Sequence, residues 1–233
     1  KAIINPFDFY ALEEGLRVKD ARGGQVTVLT MGPPQAEAAL REALGYGADA
    51  AVLLSDRAFA GADTWATALT LSKAIEKLGG ADLIFTGKQA IDGDTAQVGP
   101  MLAAILDIPY AAWARKLSFG EDGTLTVERL LDHGYDAVEV KLPALVTVVK
   151  EINEPRVPSF KAKLRAKQAV IPVWGVADLG LDAEQVGLAG SFTQVVKVFP
   201  PPARGKSEVW TGEPAEMAGR LWRRLKQMSQ GEE

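Results

Sequence analysis

One stretch of this 233-residue chain carries the residue types of an anion site: Gly87-Lys88-Gln89-Ala90-Ile91-Asp92-Gly93-Asp94-Thr95-Ala96-Gln97-Val98-Gly99-Pro100, set between an apolar run and a helical pattern. Small residues let backbone approach a ligand, and Asp94 or Thr95 as a cap would leave the first N–H groups of the following helix aimed at an anion. The chemistry on offer is phosphate binding, without the glycine spacing of a P-loop and without a Gly-x-Gly-x-x-Gly at a strand end. The same Asp and Gly residues also suit an ordinary β–α loop that binds nothing. Met31-Gly32-Pro33-Pro34 and the segment from Ser55 to Thr64 follow apolar runs in the same way and are placed to face the same crevice.

Composition removes other chemistries. With no cysteine there is no disulfide, thiolate metal site or thiol nucleophile, and a single histidine, His133, cannot by itself build an imidazole metal site. Ser55 and Ser72 have no histidine companion to activate them. Asp56, Asp63 and Asp92 look like a carboxylate cluster, but Asp63 just before a helix is more simply an N-cap and Asp56 an Asx-turn residue, so no metal site is expected. A net charge of −4 offers no drive toward nucleic acid. No apolar run approaches the roughly 20 residues of a membrane span, so a cytoplasmic protein without membrane insertion is expected. Redox chemistry would need an organic cofactor.

The loops need a scaffold that gathers strand ends, and the hydrophobic pattern predicts one. Gln25 to Met31 is rich in β-branched residues and stops at Gly32-Pro33-Pro34, where prolines suit a helix's first turn. Ala36, Ala39, Leu40, Ala43 and Leu44 follow at helical spacing until Gly45 and Gly47, and Ala51-Val52-Leu53-Leu54 then reads as a buried strand. Leu71, Ala74, Ile75 and Leu78 share a helix face closed by Gly79-Gly80, Asp82 to Thr86 is the next strand, and Val98, Met101, Leu102 and Ile105 mark another helix. Such alternation predicts parallel β–α–β units, hence an α/β fold with an open, mostly parallel sheet flanked by helices.

After Pro109 the rhythm becomes antiparallel, with hairpin turns expected at Gly120 to Gly123 and at His133 to Asp136, before Ala144 to Val149 rejoins the main sheet. From Val157 the repeating pattern is lost among Pro158, Pro172 and Pro200-Pro201-Pro202, which reads as an extended arm. The arm closes with an amphipathic helix in which Ala218, Leu221, Trp222 and Leu225 share a face, to dock on its own domain or to clasp a partner subunit. Lys161, Lys163, Arg165 and Lys167 alternate along one segment, either as a solvated face or as a basic stripe on a projecting loop that meets an acidic partner.

Four motifs now stand in order: Asn5-Pro6-Phe7-Asp8 with Ala11-Leu12-Glu13-Glu14, Asp56-Arg57-Ala58-Phe59-Ala60-Gly61-Ala62-Asp63-Thr64, Gly87 through Gly99, and Glu151-Ile152-Asn153-Glu154-Pro155-Arg156. Together they resemble the electron transfer flavoprotein beta subunit family, in its electron-bifurcating branch. The likeness spans Asn5 to about Arg156 and is weaker in the arm and C-terminal helix. It implies the adenine-nucleotide-binding, Rossmann-like form of the open sheet, with residues 1–156 as the nucleotide-binding domain and 157–233 as partner-recognition segment, arm and helix. Family members begin with a strand and loop that this chain lacks, so the resemblance places the first strand of the sheet and part of the pocket upstream of Lys1.

The resemblance further implies a heterodimer with an alpha subunit that carries FAD, while the beta subunit binds a second nucleotide. Ordinary members bind AMP there; bifurcating members bind FAD that takes hydride from NADH. The residues carried over by position are Asn5, Met31, Ala90, Gly93, Ala96, Gln97 and Val98, with Thr30, Gly32, Asp94, Thr95 and Gly99 as neighbours. Ala96 and Val98 depart from the Asn and Thr typical of AMP-binding relatives, and Gly93 replaces an Asp, which points to FAD. Electrons would pass to a low-potential ferredoxin or flavodoxin and, through the alpha-subunit FAD, to an acyl-CoA dehydrogenase-type acceptor. The family's apolar anchor for that acceptor aligns with Phe160, beside Lys161 and the basic residues that would steer the encounter. No side chain of this chain need be catalytic. A conventional AMP-binding carrier and a non-redox nucleotide-binding module are the alternatives.

Overall fold

Pro6 has its φ preset and no amide hydrogen to satisfy, so it opens the first helix, α1 (Pro6–Arg22). The computed structural model describes residues 3–120, 123–201 and 207–229. Chain order continues with β1 (Thr27–Met31), α2 (Glu37–Tyr46), β2 (Ala50–Leu54), α3 (Thr64–Lys77), β3 (Leu83–Gly87), α4 (Val98–Ile105) and β4 (Tyr110–Phe119). It then runs through β5 (Thr124–Leu131), β6 (Gly134–Lys141), β7 (Ala144–Val148), α5 (Phe160–Gln168), β8 (Val173–Trp174) and α6 (Pro214–Ser229). Asp63 caps α3 by accepting the Ala66 N–H at 3.0 Å, and Asp56 accepts the Ala58 N–H at 3.0 Å, the two local roles expected of them.

The strands form two open sheets where one was expected. β1, β2 and β8 pair in that order, all parallel; the second sheet runs β3-β7-β4-β5-β6, parallel across β3, β7 and β4 and antiparallel beyond. β7 rejoins the main sheet between β3 and β4, so the antiparallel β5–β6 extension hangs on its far edge. No ladder joins β1 to β3 among the described residues, yet the helix layers cross that junction on both faces. On one, Gly15 of α1 lies against Val26 and Phe85; on the other, Leu29 and Ile84 pack on one core with Ala68, Ile75 and Leu102.

Two readings change with tertiary contacts. Gly45 does not end α2; it lies inside the helix and α5 packs over it, while Gly47, with φ of 130°, ends the helix. Residues 157–194, expected with the arm, belong to the first of two compact units, which runs to Gln194. There α5 packs on α2, β8 pairs with β2, and Ile171, Leu179, Leu181 and Val186 are buried. Short 3-10 turns and prolines break the periodicity that would have announced this burial. The second unit, from Val195, holds described residues without helix or strand and then α6, whose Leu221, Trp222 and Leu225 are exposed. The turn expected at His133 to Asp136 lies earlier: Asp132 and His133 form an exposed two-residue turn, and Gly134 to Asp136 already pair with β5 as the start of β6. Gly120 N–H closes the preceding turn on the Thr124 carbonyl at 2.9 Å; Glu121 and Asp122 of that turn, and Pro202 of the proline run, lie outside the described residues.

Candidate functional site

The first turn of α1 lies directly on the end of β3, and this close approach is why position 87 is glycine. A Cβ there would stand 2.6 Å from Phe7 Cβ, 2.7 Å from the Phe7 carbonyl carbon and 2.9 Å from the Asp8 nitrogen. Gly87 N–H donates to the Asp8 carboxylate at 2.7 Å, and Asn5 donates its amide to Asp8 at 3.0 Å and to the Gln89 carbonyl at 2.9 Å. The Asn5 side-chain oxygen accepts Ile91 N–H at 3.2 Å. Asn5 is thus a clasp that holds the loop after β3 against α1. Burial pushes the Asp8 carboxyl up, against the lowering effect of the Gly87 N–H and the Asn5 amide.

Beyond the clasp the loop closes on itself through Asp94 N–H to the Ala90 carbonyl at 2.9 Å. Asp94 and Ala96 both hold left-handed backbone, with φ of 52° and 54°. The expectation that Asp94 or Thr95 caps the next helix is corrected here. α4 begins at Val98 with Gln97 as N-cap and no side-chain cap bond, and the Asp94 carboxylate accepts instead from the Gln89 amide. Two left-handed residues lengthen the loop, carrying Asp94 and Thr95 out of capping register.

The left-handed φ at Ala96 followed by right-handed Gln97, with φ −102° and ψ −27°, is the alternation that turns successive N–H groups toward one concave point. Among the described residues the N–H groups of Thr95, Ala96, Gln97, Val98 and Gly99 meet no protein acceptor. They stand at the positive end of the α4 dipole. A Cβ at Gly99 would meet Thr147 Cγ2 at 2.7 Å and Thr86 Oγ1 at 3.0 Å, so glycine lets α4 start directly on β3 and β7. The Thr86 hydroxyl beside it is buried without a partner. A Cβ on Gly93 would meet nothing within 4 Å, which leaves open space above the loop. These donors and this room fit the phosphates of an adenine nucleotide or flavin dinucleotide. Replacing Ala96 by Gly should relieve left-handed strain and stabilise by about 0.5–1 kcal/mol, whereas Ala96→Val should cost about 1 kcal/mol, both read from urea unfolding midpoints.

Sequence reasoning passed over two residues at the same strand ends. Lys88 donates its N–H to the Val148 carbonyl at 2.9 Å and holds its ammonium 5.0 Å from the centre of the Trp113 ring. Trp113 has φ of 57° in a bulge of β4 and donates its N–H to Thr147 Oγ1 at 3.0 Å. A bulge inside an apolar strand leaves no mark in residue types, so only the register of β4 on β7 reveals it.

The neighbouring loops contribute unequally. Thr64 Oγ1 meets Gln97 Oε1 at 3.1 Å and ties the start of α3 to the start of α4. Thr30 and Met31 end β1 and Gly32 follows, but the Met31 side chain packs with Val52, Leu54 and Phe59, and no hydrogen bond joins the three to the 87–99 loop. Phe160 and Lys161 stand on α5, a separate element, with Phe160 78% exposed. That segment is helical where a projecting loop was one expectation, so Lys161 and Arg165 share one helix face and Lys163 and Lys167 another. The segment from Glu151 to Arg156 docks on α1. Asn153 donates to the Tyr10 carbonyl and to Glu14, both at 2.9 Å, and Arg156 donates to Glu13 at 2.8 Å.

Helices on both faces of mostly parallel strands, with a loop of unpaired N–H groups at a strand end, define an α/β protein of the nucleotide-binding class. The family description "Electron transfer flavoprotein domain" matches residues 1–179, and the chain belongs to this family. It is 51% identical to an electron transfer flavoprotein subunit beta of Thermoanaerobacterium thermosaccharolyticum, over 96% of this chain and 86% of the relative. It is 48% identical to the caffeyl-CoA reductase-Etf complex subunit CarD of Acetobacterium woodii, over 97% of this chain and 87% of the relative. The FixA protein of Azotobacter vinelandii is 49% identical, over 88% of this chain and 75% of the relative. The role is therefore electron transfer as a beta subunit, which implies an alpha-subunit partner and a cofactor of the flavin or AMP type. Among the described residues no helix is long and apolar enough to cross a membrane.

Proposed function

We propose that this chain is the beta subunit of a cytoplasmic, electron-bifurcating electron transfer flavoprotein, with FAD at the 87–99 loop where a conventional carrier holds AMP. When bound, that FAD supplies hydride acceptance from NADH and the division of electrons between a ferredoxin or flavodoxin and, through the alpha-subunit FAD, an acyl-CoA dehydrogenase-type partner. One observation carries the choice of FAD. The loop combines unpaired N–H groups from Thr95 to Gly99 with open space above Gly93 and no polar side-chain atom at Ala96 or Val98. The similarity to a subunit of a caffeyl-CoA reductase-Etf complex supports the same reading.

The work of the chain's own residues is binding and placement. The Thr95–Gly99 amides hold phosphate oxygens, Lys88 adds a positive charge at the mouth, and Asn5 with Asp8 keeps the loop seated on β3. Gln89, Ala90, Asp92 and Asp94 shape the loop and perform no proton transfer. On α5, Phe160 is the apolar anchor for the dehydrogenase partner, and Lys161 with its basic neighbours steers the approach. The test is cofactor stoichiometry of the full alpha–beta heterodimer, released by denaturation and resolved by chromatography. Two FAD and no AMP per heterodimer is the expected result. One FAD and one AMP would leave a conventional carrier and remove the bifurcating reading.

A further inference from the structure

We propose that Arg41, more than a hundred residues before the docking segment, is the positioning residue that keeps α5 helical and so presents Phe160 and Lys161; the inference rests on the docking role given to α5 above. α5 has only 9 residues, and isolated helices shorter than about 12–15 residues are marginal in water. Its charge works against it as well. Lys161 and Arg165, and Lys163 and Lys167, are like-charge pairs one turn apart, and the helix contains no acidic residue. Ala166 is its buried side chain.

The ends decide whether such a helix persists. Ser159 covers the start, its hydroxyl accepting Ala162 N–H at 3.1 Å. At the other end the cap residue, Ala169, is extended, no glycine turns the chain back, and no backbone N–H returns to the last carbonyls. Arg41 supplies what is missing. Its Nη1 donates to the carbonyls of Ala166, Lys167 and Ala169 at 2.9, 3.3 and 3.1 Å. Glu37 holds the guanidinium from the α2 side, with its Oε1 2.8 Å from Nε and 2.6 Å from Nη2. The two N–H groups of Nη1 are shared among the three carbonyls while Nε and Nη2 stay on Glu37, so the planar guanidinium faces the negative end of the α5 dipole and its own anchor at once, which a single ammonium does less well. Phe160 and Leu164, 78% and 47% exposed, then project one turn apart on a fixed helix face.

The experiment compares Arg41→Met and Arg41→Lys with the parent in the intact alpha–beta heterodimer. It reads hydrogen exchange by mass spectrometry and the steady-state KM for an acyl-CoA dehydrogenase. In Arg41→Met the amides of residues 163–168 should exchange about tenfold faster, with partial recovery in Arg41→Lys and no change across the 88–99 loop. KM for the dehydrogenase should rise several-fold with kcat and nucleotide content unchanged. Parental exchange across α5 in Arg41→Met would overturn the inference and leave the docking role standing. Faster exchange with an unmoved KM would remove the docking role and, with it, Arg41 as a positioning residue. Should Arg41→Met fail to fold, Glu37→Gln releases the same guanidinium from α2 and must show the same exchange change at smaller amplitude.

Discussion

Arg156→Met should lower the stability of the first unit by about 2–3 kcal/mol at neutral pH, which for a unit of this size is a fall in Tm of roughly 5–10 °C. The reason is Glu13, whose side chain is 4% exposed and whose carboxylate is matched from two sides. Arg156 approaches it through Nε at 2.8 Å, Nη2 at 3.3 Å and its backbone N–H at 3.1 Å, and Arg17 through Nε at 2.8 Å. Removing Arg156 leaves a buried carboxylate with one cation. The loss stays below that of a fully enclosed pair because Arg156 is 33% exposed and Arg17 remains.

The same substitution carries a pH signature. Desolvation raises the Glu13 carboxyl, but the hydrogen bonds and charge of Arg156, with Arg17, outweigh it and hold the group below the usual carboxylate value of 4.5. A group depressed in the folded state contributes stability that is complete above the unfolded value and is lost as pH falls through the folded one. The gap between parent and Arg156→Met should therefore be widest at pH 6–7 and should narrow as pH falls below about 4.5. Urea unfolding at pH 7 and pH 3.5 checks this; equal gaps at both would show that lost packing of Arg156, and not the ion pair, is responsible.

Gly87→Ala should be at least as damaging and should also empty the site. The added methyl meets backbone as well as a side chain at 2.6–2.9 Å, so the first turn of α1 must move. A cost near 3 kcal/mol is expected, at the upper end for overpacking. Moving α1 also opens the Asp8 bond to Gly87 and the Asn5 clasp on Gln89 and Ile91. Nucleotide retained by the purified heterodimer should fall more than about tenfold, the factor that corresponds to 1.4 kcal/mol. Gly93→Ala is the matched control, since its methyl meets nothing within 4 Å and the stability change should stay within about 0.5 kcal/mol. A Gly87→Ala protein that melts with the parent and keeps its nucleotide would show that the α1–β3 contact does not hold the loop.

The elements were legible where side-chain periodicity and end signals agree. Ala51 to Leu54, Leu83 to Thr86 and most of the Leu71-Ala74-Ile75-Leu78 face follow from burial on a strand or a helix stripe, with Leu78 left exposed at the helix end, and the Asp63 cap follows from local hydrogen bonding; the turn expected at His133 to Asp136 falls at Asp132-His133, because cross-strand pairing begins at Gly134. α5 was not legible, because its residues carry no core-facing stripe and its C-terminal carbonyls are satisfied by Arg41 on another helix. The segment from Ile171 to Val186 escaped for a related reason: its apolar residues are buried by turns and prolines rather than at a fixed period.

At the site the same division holds. Residue types alone showed that the stretch from Gly87 to Gly99 lies between a strand and a helix and is interspersed with small residues that let backbone approach a ligand; they left an anion site and an ordinary loop equally open. Tertiary structure alone decided that Asp94 and Ala96 are left-handed, that Asn5 serves as a clasp, that Met31 turns into the core, and that Lys88 and Trp113 stand together. Each of these depends on which distant backbone comes to lie beside a residue, and local propensity is silent about that.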